Sequence, residues 1–164
     1  MYQYSFANTD LIITTGDYPG KDAASPSEFK VRSFGTGEGL IQVNRRAPVA
    51  VTTFGAYGDM VVSMQRIRAG DLMFPLLMNG SENKYLQDWV NYFQAQADAD
   101  GELFVPLQAK LVDNMGKDQA IMTNGVILQM PGMVRGQTMN TVSWVLTFEE
   151  VLFDREIGGD LTQL

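Results

Sequence analysis

The 164-residue chain contains neither cysteine nor histidine. Without cysteine there is no disulfide, no thiolate ligand for zinc and no thiol nucleophile. Without histidine the commonest general base, the usual partner of a nucleophilic serine and the usual nitrogen ligand for zinc are missing too. Cations are scarce: 12 Lys and Arg stand against 19 Asp and Glu, for a net charge of −7. That balance disfavours a nonspecific grip on nucleic-acid phosphates, which needs clustered Lys and Arg. No apolar run approaches the ~20 residues that cross a bilayer. The opening MYQYSFANTD has neither the basic nor the long apolar part of a signal peptide. The expectation is a chain with no membrane anchor, made and kept in a cytoplasm or released by another route.

What is present is globular composition, 45% hydrophobic and 19% charged, sized for one domain over 1–164. YSFANTDLIITT (4–15) reads as a strand, rich in β-branched and aromatic residues. GDYPGKDAASPSE (16–28) is an extended polar loop with two prolines and two glycines, either mobile or tied down from outside the protomer. FKVRSFG (29–35) alternates like a strand. GTGEG (35–39) reads as a turn, because no Lys-Ser or Lys-Thr follows to make a phosphate loop. LIQVNRRAPVAVTTF (40–54) is extended and interrupted at Pro48, which must lie at an edge, bend or bulge. MVVSMQRI (60–67) completes a hairpin around Gly55, Ala56, Tyr57, Gly58 and Asp59.

DLMFPLLMNG (71–80) suggests a helical turn or two, limited by Pro75. SENKYLQDWVNYFQAQAD (81–98) carries the clearest helix signal. Ser81 suits the cap, Glu82 complements the dipole, and Tyr85, Leu86, Trp89, Val90 and Phe93 share one face. LFVPLQAKLVDN (103–114) and QAIMTNGVILQMPG (119–132) form a second hairpin. TMNTVSWVLTFEEVLFD (138–154) is the longest strand, with Val142, Trp144, Leu146, Phe148 and Leu152 on one face and Val145 and Val151 on the other. The tail 155–164 is expected to be loosely held. The fold class is mainly antiparallel β, a sandwich or barrel, with one flanking α-helix.

The candidate chemistry is thin. DADGE (98–102) opens like a calcium loop, but with Gly101 at the turn the first and twelfth ligands would be Gln96 and Leu107. Glu149 and Glu150 are strand neighbours and point to opposite faces, so they make no acid/base pair. Arg45–Arg46 and Arg66–Arg68 are the densest basic spots, suited to pairing with acids of another subunit. Ten methionines suit either core gaps or adaptable contact surfaces. No nucleophile, base and oxyanion donor coincide, so no catalytic, cofactor or metal site is assigned and the chain is expected not to be an enzyme.

Over most of its length the order of elements resembles phage tail tube proteins, in particular those of contractile-tailed phages. The matching pieces are YSF (4–6), TTFGAYGDM (52–60), RAGDLMFPLLMNGSENKYLQDWVNYF (68–93) and TVSWVLTFEEVLF (141–153). Tyr57 stands where that family often has Asp, the 16–28 loop is long, and 115–117 has no counterpart. The resemblance implies a β-sandwich or barrel that forms six-membered rings, with subunit sheets joining into a barrel that lines a channel. Stacked rings would make the inner tail tube of a virion assembled in a host cytoplasm. Its partners would be copies of itself and the sheath, baseplate and tape-measure proteins, and genomic DNA would pass without specific binding.

Six copies at −7 put about −42 on each ring, a sign that would let DNA slide past acidic walls. On this view Phe54, Gly55, Tyr57, Gly58 and Asp59 form an assembly tip, Arg45, Arg46, Arg66 and Arg68 are further contact candidates, and Glu149 is the lumen candidate. The alternatives are another ring component of a tail or secretion apparatus (a terminator, a baseplate hub or a type VI ring protein) and, in a different class, a small β-barrel enzyme or binding module.

Overall fold

The computed structural model describes residues 6–35, 41–98, 104–114 and 118–154. Most of the YSF and GTGEG segments, the DADGE segment beyond Asp98, the 115–117 turn and the 155–164 tail lie outside the described residues. A 3-10 turn at Phe6–Asn8 leads into β1 (Thr9–Thr14), followed by β2 (Glu28–Val31), β3 (Gln42–Arg45), β4 (Ala50–Phe54), β5 (Met60–Met64) and β6 (Gly70–Leu77). Helix α1 (Ser81–Asp98) comes next, and then β7 (Leu107–Asp113), β8 (Gln119–Gln129) and β9 (Thr141–Asp154). Seven strands form one antiparallel sheet in the order β2-β1-β7-β8-β9-β6-β3, and β4 and β5 form a separate two-stranded sheet. The molecule is mainly antiparallel β with a single described helix, as the strand patterning implies.

Period-two alternation turns Leu11 and Ile13, Phe29 and Val31, Leu72, Phe74 and Leu76 inward from three of these strands. Met122, Val142, Trp144, Leu146 and Phe148 join them from β8 and β9, and α1 adds Leu86, Trp89 and Val90 to the same cluster. At ~1.5–3 kcal/mol for each large side chain, these three helical contacts dock α1 firmly. The buried indole N–H groups are satisfied: Trp144 Nε1 donates to Asn83 Oδ1 at 2.8 Å, and Trp89 Nε1 donates to the Val105 carbonyl at 3.3 Å. Beyond β2 the chain crosses to β6, where Phe34 bridges Leu76 and Leu77 N donates to the Ser33 carbonyl at 2.7 Å.

Four expectations are corrected. First, 71–80 is not helical: most of it is β6, with Leu72, Phe74 and Leu76 inward. Pro75 is tolerated because its carbonyl faces 33–35, accepting from Gly35 N at 3.4 Å, so the missing N–H also points away from the β9 ladder. Second, the 16–28 loop is held by its own protomer. Tyr18 is buried against the rings of Tyr92 and Phe93 (5.2 and 5.7 Å between centroids), and Lys21 Nζ donates to the Ser25 carbonyl. Third, the first helical bond of α1 runs from Asn83 N to the Gly80 carbonyl, which puts the cap one residue before Ser81.

Fourth, Val151 is buried and Leu152 is outward. The inward alternation skips a step at Glu149–Glu150. Across β6, Phe148 still pairs with Gly70, but Val151 N donates to the Arg68 carbonyl, one residue out of register. Across β8, Asn124 opposite this point has φ 54, a left-handed conformation that Asn adopts more readily than most residues. Smaller differences follow local chemistry. β1 starts only at Thr9, and the 40–54 stretch splits at Pro48 into β3 and β4.

Candidate assembly surface

β3 and β6 form the lower half of a two-stranded ribbon, and β4 and β5 form its upper half. The lower ladder runs out at the bond from Arg46 N to the Ala69 carbonyl (3.0 Å), and the upper one resumes with Gln65 N donating to the Val49 carbonyl (2.9 Å). Pro48, with no N–H to donate, falls in the gap. The arm that results projects from the sheet. All but Ala50 of the residues in β4 and β5 are exposed.

Cross-strand register sorts the arm's side chains. Phe54 faces Met60, Thr52 faces Val62 and Ala50 faces Met64 on one side, while Thr53 with Val61 and Val51 with Ser63 occupy the other. The first side is therefore an apolar surface of Phe54, Met60, Val62 and Met64, with Phe54 66% accessible to solvent. At the tip, Gly55 N donates to the Asp59 carbonyl (2.8 Å) and Gly58 N to the Gly55 carbonyl (3.0 Å). Gly58 has φ +86, a conformation that penalises any side chain. Tyr57 at the apex is 98% exposed. The turn thus brings Phe54, Gly55, Tyr57, Gly58 and Asp59 to one place, as the sequence suggests. Apolar patches of this kind, with two open strand edges, mark interaction surfaces or aggregation sites.

The arginines divide into two pairs. Arg45 donates from Nε and Nη2 to the Val151 carbonyl (3.2 and 2.8 Å) and lies 5.8 Å from the Phe153 ring centroid. Arg46 grips Asp71 (Nη2 to Oδ1 2.9 Å, Nε to both oxygens 3.0 Å) and donates from Nη2 to Thr147 Oγ1. The acid expected from another subunit is, for Arg46, in its own chain. Burial pushes the Asp71 carboxyl up, but hydrogen bonds from Arg46 and Thr147 together with the Arg46 charge hold it below its ordinary value. Asp71 in turn raises the Arg46 guanidinium. These two arginines anchor the root of the arm.

Arg66 and Arg68 have no ion pair among the described residues. With Met64, Ile67, Glu149 and Glu150 they border an open cleft of about 750 Å³ where the arm leaves the sheet. Glu149 accepts from Asn124 Nδ2 at 3.1 Å. Glu149 and Glu150 both border this cleft, Glu149 exposed and Glu150 half-buried, where the inward alternation of β9 skips a step. A second exposed apolar group is Leu128, Met130, Met133, Val134 and Met139, on and after the end of β8; its three methionines are among those that suit core gaps or contact surfaces, but nothing in the sequence gathers the five into one patch. The methionine count was its only signal. Among the methionines, Met122 is core, whereas Met60, Met64, Met130, Met133 and Met139 are exposed.

No protein-family model and no curated protein matches the chain. Among solved structures, the chain is similar to the anti-feeding prophage cap, an AFP tube terminating cap determined by cryo-electron microscopy. The TM-score is 0.55 at 13% sequence identity, and the match covers 95% of this chain and 93% of that one. The two share a fold across nearly their whole lengths.

Proposed function

We propose that the chain is a structural subunit of a contractile tail or related injection particle, in which it associates with copies of itself at the tube. The observation that carries this reading is the β4–β5 arm, an apolar surface that a lone protomer leaves in water. The order of elements, which resembles tail tube proteins, and the fold shared with a tube terminating cap support the same assignment. In its finer form the subunit builds stacked hexameric rings of the inner tube, with sheath, baseplate and tape-measure proteins as neighbours and the genome passing through. It has no catalytic task on this reading. A terminator that closes the tube is the second reading, favoured by the similarity to a tube terminating cap.

Negative-stain images of the purified chain, alone and with its particle's other tail proteins, test the proposal. Long tubes support the tube subunit, and single rings or short stacks support the terminator. A protein that stays monomeric in both preparations contradicts both.

A further inference from the structure

We infer that the β4–β5 arm of one copy docks on the 130–140 loop of the next, so that association is head-to-tail rather than two-fold. The inference rests on the self-association proposed above and deepens it by naming the receiving surface. The placement comes from the topology. The arm leaves the sheet where Arg45 pairs with Gly70, at the start of β6. The loop joins β8 to β9 at the other end, where Thr141 pairs with Leu77 and Met78 N donates to the Asn140 carbonyl. Seven residue steps along β6 separate the two roots, roughly 24 Å at ~3.4 Å per residue.

The two surfaces are unlike, and they complement each other. Both are apolar: Phe54, Met60 and Met64 on the arm, and Met133, Val134 and Met139 on the loop, with Met133 82% exposed. Methionine on both sides suits adaptable packing. From 49 to 65 the arm's one ionised side chain is Asp59, and from 130 to 140 the loop's one ionised side chain is Arg135. Both are exposed and neither has an ion pair among the described residues. An arm-on-loop contact sets Asp59 near Arg135, an opposite-charge pairing that no arm-on-arm contact supplies, because the arm's one ionised side chain is an acid. Unlike surfaces at opposite ends of a subunit produce rings or open stacks when each copy gives its arm to one neighbour and its loop to another, whereas a reciprocal exchange within one pair stops at a dimer, and the mass of the associated species separates the two.

The absence of cysteine allows a direct test. Asp59→Cys and Arg135→Cys chains, each folded by circular dichroism, are mixed at a concentration where the wild type associates and treated with a short bismaleimide. A covalent dimer that forms in the mixture, and at most weakly in either variant alone, is the expected result. A dimer of Asp59→Cys alone that equals the mixture overturns the inference in favour of an arm-to-arm contact. So does a mixture that sediments as oligomers without cross-linking. If wild type and variants all sediment as monomers, both alone and with the particle's other tail proteins, the self-association reading itself fails, and this inference with it. Charge reversal gives an independent arm. Asp59→Arg and Arg135→Asp each weaken association by roughly fivefold or more, and the double variant recovers most of the loss. A double variant as weak as the sum of the two singles counts against the pair.

Discussion

Glu82 is the residue whose role is least visible in the sequence. Its place in the first turn of α1 suggests a dipole partner on the surface, yet only 5% of it is exposed. Its Oε1 accepts from the backbone N–H of Arg32 at 2.8 Å and of Ser33 at 3.4 Å, tying the helix start to the chain that crosses from β2 to β6. Burial pushes this carboxyl up, but the hydrogen bonds from Arg32 and Ser33 outweigh it, and the net shift is downward. A lowered folded pKa means that the contribution is complete above the unfolded value of about 4.3 and fades as pH falls through the folded value. Glu82→Ala should cost about 1–3 kcal/mol at neutral pH in urea titrations, because the N–H groups lose their acceptor. Glu82→Gln should flatten the loss of stability below about pH 4.3 relative to the wild type. Gly70 is a second such point. A Cβ there would lie 2.6 Å from the Asn44 carbonyl oxygen and 2.7 Å from Val151 Cγ2. Gly70→Ala should therefore destabilise by about 1–3 kcal/mol through overpacking at the root of the arm.

Among the elements, the arm and the helix respond to substitution in opposite ways. Replacing Phe54 and Met60 together by serine should leave monomer stability within about 0.5 kcal/mol, because both side chains are already in water. Leu86→Ala should cost about 2–5 kcal/mol, because that side chain is fully buried. Urea unfolding of the two variants side by side checks the contrast. The helix was legible because its apolar residues recur at 3.6-residue spacing and its other face is polar. β6 was not, because Met73, Pro75 and Leu77 fill its outward positions and hide the alternation of Leu72, Phe74 and Leu76. The inward turn of Val151 was hidden too, since the alternation breaks in β9 at Glu149–Glu150 and in β8 at the left-handed Asn124 opposite, and nothing in either run of sequence marks the break. The residues of the arm and its tight turn could be read directly. Its exposure could not, because β-branched residues such as Val51, Val61 and Val62 look the same in a buried strand as in an exposed one. The same blindness concealed the 130–140 surface.

At the scale of the whole molecule, two kinds of surface coexist. The sheet and α1 close a single apolar cluster, and Arg45, Arg46 and Asp71 brace the point from which the arm departs. The arm and the 130–140 loop carry apolar side chains that no other part of the described chain covers. A protomer of this design gains little from the arm while alone, since exposed apolar surface contributes nothing until it leaves water. Association as proposed would remove that surface and the open strand edges together. On the proposed reading, the net charge of −7 would hold free subunits apart until their complementary ends meet. Sedimentation velocity over a wide range of protein concentration, comparing the wild type with the Phe54→Ser/Met60→Ser variant, tests this account most directly. The account predicts wild-type species heavier than the 18.2 kDa protomer, growing with concentration, and a variant that stays at the protomer mass. A wild type that remains at protomer mass throughout, or a variant that assembles as readily as the wild type, would contradict it.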